Sequence, residues 1–268
     1  MSPSLQQTMS PISSELVALR DICKRFSNGV LALDGFDLSV KANEFLSLLG
    51  PSGCGKSTVL RIIAGLARPT EGRVIWPSSC NDDRRRSEIG FVFQDATLMP
   101  WATVADNVWL PLRLRGVSRR NAQDRIAESL ALVGLSDFAK AYPRELSGGM
   151  RMRVSIARAL SVKPRLLLMD EPFAALDEIA RFRLNDDLLR LQSDLRCTVV
   201  FVTHSVYESA YLSSRIAVMS PRPGRIVAEI EGMPPGPRAK DFRTGESYTQ
   251  LCGRISQALL GQTAGERP

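Results

Sequence analysis

The run Gly50-Pro51-Ser52-Gly53-Cys54-Gly55-Lys56-Ser57-Thr58 constrains this chain more than any other segment. It has the form GxxxxGK[ST] and follows the short apolar run Phe45 to Leu49. It leads into TVLRIIAGL, whose apolar positions 59, 60, 62, 63 and 66 repeat as a buried helix face does. Strand, glycine loop and helix in that order are the setting in which such a loop wraps phosphate. The glycines let successive backbone N–H groups turn towards anionic oxygens, and the positive end of the helix strengthens the field. Lys56 has the reach for terminal phosphates, and the Ser57 hydroxyl suits Mg²⁺. The side chain of Cys54 reads as a space filler, because the backbone carries the chemistry there; bulk added to its thiol is expected to block the nucleotide site.

Two further segments belong with this loop. Leu166 to Met169 is an apolar strand ending in Asp170 and Glu171, and carboxylates at the end of a parallel strand lie on the ligand-binding rim of the sheet. Asp170 is expected to hold Mg²⁺ through its water shell. Glu171 is expected to polarise a water for in-line attack on a γ-phosphate. Leu146-Ser147-Gly148-Gly149-Met150 precedes a helical run, so Ser147, Gly148 and Gly149 form a second helix-terminal anion cradle. Taken alone, the same glycines read more readily as a flexible helix start than as a cradle.

The remainder of the chain fits a folded α/β protein. Of 268 residues, 44% are apolar and 24% charged, which argues against wholesale disorder and collagen-like or membrane-spanning chains. Residues 1 to 14 read as a loose polar tail without signal-peptide character. Short β-type runs between Leu16 and Val40, with a turn at Asn28-Gly29, predict a small N-terminal sheet. From about 95 to 160 the pattern is helical, with Pro111, Gly116, Gly134 and Pro143 expected to divide the helices. LLLMD, a helix through IARFRLNDDLLRLQSDL, and TVVFVTH then give strand, helix, strand, as in a parallel sheet covered by helices. The domain is expected to span 15 to 230. Residues 231 to 268 form an extension, partly helical around Tyr248 to Leu260.

Five cysteines without CxxC spacing indicate neither a disulfide framework nor a zinc site. The formal charge of +7 invites anionic partners. Yet Arg84-Arg85-Arg86 and Arg119-Arg120 have no interleaved aromatics, which points away from nucleic acid and towards solvated loops, or weak contact with anionic lipid. No apolar run approaches the roughly 18 residues of a membrane span, so any membrane role is peripheral.

Together, GPSGCGKST, Gln94 in GFVFQD, LSGGM with RMRVSIARAL, LLLMDEPFAALD and VTH ending at His204 resemble the ATP-binding subunit of ABC transporters over about residues 16 to 230. Met150 stands where the family has Gln, and Asn43 where it usually has Gly. The resemblance implies a P-loop core with an antiparallel β subdomain and an inserted helical subdomain. It implies ATP and Mg²⁺ as ligands, with Gly50 to Thr58 binding nucleotide. Phe26 matches the position that stacks on adenine, although an apolar Phe serves a core equally well. By the same resemblance Gln94 reaches the metal and the attacking water, Asp177 lies on a loop crossing between subunits, and His204 contacts the γ-phosphate. Two copies would face head to tail, each ATP lying between Lys56, Ser57 and Glu171 of one copy and Ser147, Gly148 and Gly149 of the other.

LMPWATVADNV, from Leu98 to Val108, and SPRPGRI, from Ser220 to Ile226, resemble the nitrate, sulfonate and taurine importer branch. Trp101 with Leu98 and Met99 would line the groove for a permease helix; the bland reading is a hydrophobic patch of the helical subdomain. The implied partners are a second copy, integral-membrane permease subunits and, indirectly, a periplasmic or extracellular solute-binding protein. The implied place is the cytoplasmic face of the cell membrane. A soluble, non-transport ABC-type ATPase is the alternative, and the solute stays open.

Overall fold

The computed structural model describes residues 15–76, 88–174, 176–234, 236–239 and 241–263. Strands β1 (Glu15–Arg25) and β2 (Leu31–Lys41) form an antiparallel hairpin. It closes at Asn28-Gly29, where Gly29 adopts φ +85° and donates to the Phe26 carbonyl at 2.9 Å. β3 (Phe45–Leu49) and α1 (Lys56–Ile63) follow, and β4 (Glu71–Ile75) returns to the outer side of β1 to give the order β2-β1-β4. Asn43, in the turn before β3, sits at φ +62° and donates its N–H to Thr198 Oγ1 at 2.8 Å. Asn tolerates the left-handed region better than most residues, which is why it replaces Gly here.

The second sheet collects β5 (Ile89–Val92), β6 (Leu166–Asp170), β7 (Thr198–Thr203), β8 (Arg215–Met219) and β9 (Ile226–Glu231) around β3, in the order β5-β6-β7-β3-β8-β9. All pairs are parallel except β8 with β9. Its central strands are buried on both faces, so they read in sequence as unbroken apolar runs and not as alternation. Alternate residues still divide between two cores. Phe45, Leu49, Met169, Phe201 and Val218 pack with the helical layer. Leu46, Leu48, Leu168, Val202 and Met219 pack with α1 and the antiparallel sheet.

The helical layer contains α2 (Val104–Leu114), α3 (Gln123–Leu132) and α4 (Gly148–Leu160). Pro111 does not end a helix as the sequence predicts; α2 runs through it. The proline deprives the Asn107 carbonyl of a helical donor, but Val104, Val108 and Leu112 are buried on one face of α2, and that packing outweighs the lost bond. α5 (Glu178–Leu195) and α6 (Val206–Leu212) flank β7. The extension supplies α7 (Glu246–Thr263), whose Tyr248, Leu251 and Ile255 enter the main core. The predicted tail at 1–14, Cys80 and the Arg84-Arg85-Arg86 run lie outside the described residues. Arg119, expected in a solvated loop, is partly engaged: it pairs with Asp106 at 3.3 Å and lies over the Trp109 ring. Among the described residues, no helix is long and apolar enough to cross a membrane.

Candidate active site

The carboxyl ends of β3, β6 and β7 share one rim of the parallel sheet, where ligand sites of open α/β sheets form. From β3 the chain enters the loop Gly50 to Gly55. Gly53 and Gly55 adopt φ +77° and +109°, and a Cβ on Gly55 would stand 2.8 Å from Leu33 Cδ2 and 2.9 Å from the Ala32 carbonyl oxygen. Glycine is required there by both backbone and space. Gly55 caps α1 without any side-chain bond to the first-turn donors, and such N–H groups with the helix dipole favour anions. Pro51 and Ser52 are exposed, and Thr58 lies in the first turn of α1. Cys54 is 1% exposed, and burial pushes its thiol up, so it fills space and is not poised for modification.

Three side chains converge on Glu171 and its neighbour Asp170. Lys56 Nζ donates to the Gly50 and Pro51 carbonyls, each at 2.9 Å, and lies 3.7 Å from Glu171 Oε1. The other Glu171 oxygen is 3.2 Å from His204 Nδ1. Glu171 itself has φ +44°, pinned by its N–H on the Val202 carbonyl at 3.0 Å. A non-glycine residue held in that region carries backbone strain, which the surrounding bonds must sustain. Ser57 Oγ donates to Asp170 Oδ1 at 2.7 Å. Burial pushes the Asp170 carboxyl above the ordinary carboxylate range, with the Ser57 hydrogen bond pulling the other way. A hydroxyl beside a carboxylate, close to a phosphate loop, is the hard-oxygen donor set of a small divalent cation that keeps most of its ligands from water and phosphate.

The other predicted residues lie as follows. Gln94 is exposed two residues beyond β5, on the same rim, and among the described residues no hydrogen bond joins it to Ser57, Asp170 or Glu171. Phe26 is 40% exposed at the hairpin tip and lies outside both cores, which removes the core reading; Lys24 Nζ lies 5.4 Å from its ring centroid. Ser147 caps α4, accepting the Met150 N–H at 3.2 Å, and Gly148 is exposed. Gly149 lies beside Leu176, the residue before Asp177. No hydrogen bond or ion pair among the described residues links this second cradle to Lys56 or Ser57. Asp177 caps α5 by accepting the Ala180 N–H at 2.8 Å.

Sequence reasoning missed several supporting residues. Arg222 donates from Nε and Nη2 to the Gly53 carbonyl at 3.1 and 3.0 Å, gripping the back of the glycine loop. Gly224 lets its segment close on the same loop, since a Cβ would meet the Cys54 oxygen at 2.1 Å. Arg158, in the helix after the second cradle, holds the Ala96 and Thr97 carbonyls just beyond Gln94 at 2.9 and 2.8 Å. Buried Asn107 binds Met99 and Ala102 around Trp101, which is 77% exposed.

Comparison with known proteins decides the family. The model of the ABC transporter family matches residues 33–174. The chain belongs to the ABC transporter family. It is 50% identical over 199 residues to an uncharacterized ABC transporter ATP-binding protein of Methanocaldococcus jannaschii, covering 74% of each chain. It is 45% identical over 207 residues to the taurine import ATP-binding protein of Rhizobium johnstonii, covering 77% of this chain and 79% of that one. An aliphatic sulfonates import ATP-binding protein of Bacillus cereus is 39% identical over 244 residues, covering 90% and 94%. A dimeric ATP-binding cassette solved in a post-hydrolysis state with ADP and Pi superposes with a TM-score of 0.72 at 36% identity, covering 82% of this chain and all of that one. This ABC ATPase therefore has its phosphate loop, paired carboxylates and histidine on one sheet rim.

Proposed function

We propose that this ABC ATPase is the energy-supplying subunit of an importer for a small anionic or zwitterionic solute of the nitrate, sulfonate or taurine kind. The observation that carries the reading is the seating of Glu171 between Lys56 and His204, directly beyond the Ser57–Asp170 pair. The import direction and solute class are supported by the sulfonate and taurine import proteins among its relatives.

The backbone of Gly50 to Thr58 and the Lys56 ammonium would bind the phosphates of ATP, with Phe26 against the base. Glu171 would accept a proton from the attacking water, and His204 would hold the γ-phosphate side of the reacting group. Ser57, Asp170 and Gln94 would hold Mg²⁺, which when bound neutralises phosphate charge. Ser147, Gly148 and Gly149 of a second copy would close the site, with Asp177 at the crossing loop. Dimer closure and opening would move permease subunits docked near Trp101, at the cytoplasmic face of the membrane, with a solute-binding protein delivering cargo on the other side.

The experiment is Glu171→Gln. ATP binding persists in a fluorescent-nucleotide titration while kcat falls by about 10²-fold or more, as expected on losing a general base. Near-wild-type turnover would remove Glu171 from the role.

A further inference from the structure

Glu208, in the first turn of α6, is a carboxylate 6% exposed that none of the roles above uses. One of its oxygens accepts the Thr203 hydroxyl at 2.5 Å. Thr203 Oγ1 in turn accepts the Ser205 N–H at 3.0 Å, and the Glu208 N–H bonds to Ser205 Oγ at 3.3 Å. Thr203 and Ser205 are the two neighbours of His204. The other Glu208 oxygen lies 3.3 Å from Arg181 Nε, and Arg181 Nη2 donates to the Leu176 carbonyl at 3.1 Å, one residue before Asp177. A single guanidinium–carboxylate pair thus joins the chain entering the Asp177 loop to both sides of the histidine.

Such a pair is not the cheapest way to fill this space. Only Glu208 is taken almost fully out of water, the Arg181 side chain staying 31% exposed, yet burying one carboxylate already costs free energy that an apolar residue of similar volume would not. Burial indeed raises the Glu208 carboxyl above its ordinary range, against the opposing pull of Thr203 and Arg181. The pair itself is a charge contact, Arg181 Nε making no hydrogen bond to Glu208. The directional bonds are those at its two ends, Arg181 to the Leu176 carbonyl and Thr203 to Glu208. His204 needs such placement, because its side chain is 58% exposed and its one hydrogen-bond partner among the described residues is Glu171.

We infer that Arg181 and Glu208 are positioning residues for hydrolysis, fixing the backbone on both sides of His204 and tying it to the Leu176–Asp177 segment. A shift of that loop is then passed to the histidine inside the same subunit. The inference rests on the role given to His204 under Proposed function.

The test is steady-state ATPase kinetics on the full chain for the wild type, His204→Ala, Glu208→Gln, Arg181→Met, Arg181→Lys and the Glu208→Gln/Arg181→Met double variant. Glu208→Gln keeps the side-chain shape and an oxygen to accept Thr203, so it tests the pair even if Arg181→Met does not fold. The expected result is a fall in kcat of about tenfold for Glu208→Gln and for Arg181→Met, as for a misplaced reacting group. KM for ATP stays within about twofold. The double variant is no slower than the worse single one, and Arg181→Lys recovers part of the loss. Unchanged kcat in Glu208→Gln, losses that multiply in the double variant, or losses confined to KM would overturn the inference while an inactive His204→Ala upholds the site. A fully active His204→Ala would overturn the reading of the site itself, and the inference with it.

Discussion

A methyl group on Gly224 would meet the Cys54 carbonyl oxygen at 2.1 Å and Met219 Cε at 2.8 Å, so the segment behind the glycine loop packs against it with no space for a side chain. Gly224→Ala is expected to force the loop outward, at about 1–3 kcal/mol of overpacking. A lower melting temperature together with weaker fluorescent-nucleotide binding is the expected outcome; loss of stability with unchanged affinity would show that the loop does not depend on this contact. At this scale the sequence was legible where chemistry needs a side chain at fixed spacing. Lys56 and Ser57, opening α1 beyond β3, and Asp170 and Glu171, at the end of β6, meet on one rim because β3 and β6 flank β7 in the same parallel sheet. Arg222 and Gly224 were not legible as parts of the site, because one grips a backbone carbonyl far away in sequence and the other matters by lacking atoms. Neither leaves a side-chain pattern to read.

Helix α2 carries both the misread proline and the residue that shapes the loop before it. Asn107 accepts the Met99 N–H at 2.7 Å and donates to the Met99, Ala102 and Thr103 carbonyls at 3.0 to 3.2 Å, all while fully buried. Asn107→Ala leaves those groups without their partner, at about 1–3 kcal/mol. Denaturant unfolding should record that loss, and the altered loop should weaken co-purification of permease; full retention of permease would separate loop shape from docking. Periodicity revealed the helices of this layer because each buries one face. It gave no hint of β4, whose residues are exposed or half-buried, so that no apolar alternation marks it. Nor could it show that β9 runs antiparallel to β8, since strand direction depends on the short connection and not on the pattern within the strand.

Across the whole molecule, one sheet serves two cores, and the chain's extension completes the larger of them. Ile255 of α7 is fully buried in it. Ile255→Ala should cost about 2–5 kcal/mol, read as a lower midpoint in equilibrium unfolding; a cost near zero would mark α7 as an appendage. The sequence showed an amphipathic segment there but not its seat, which β8, β9 and α6 create together. The same assembly leaves Trp101 as the most exposed of the large aromatic side chains, while Trp109 bonds to the Val117 carbonyl beneath Arg113 and Arg119. The protein therefore carries its own optical probe at the edge of the helical layer. Iodide is expected to quench Trp101 more strongly than the half-buried Trp76 and Trp109, so anything that covers the ring should register as a blue shift and loss of quenching, without a label.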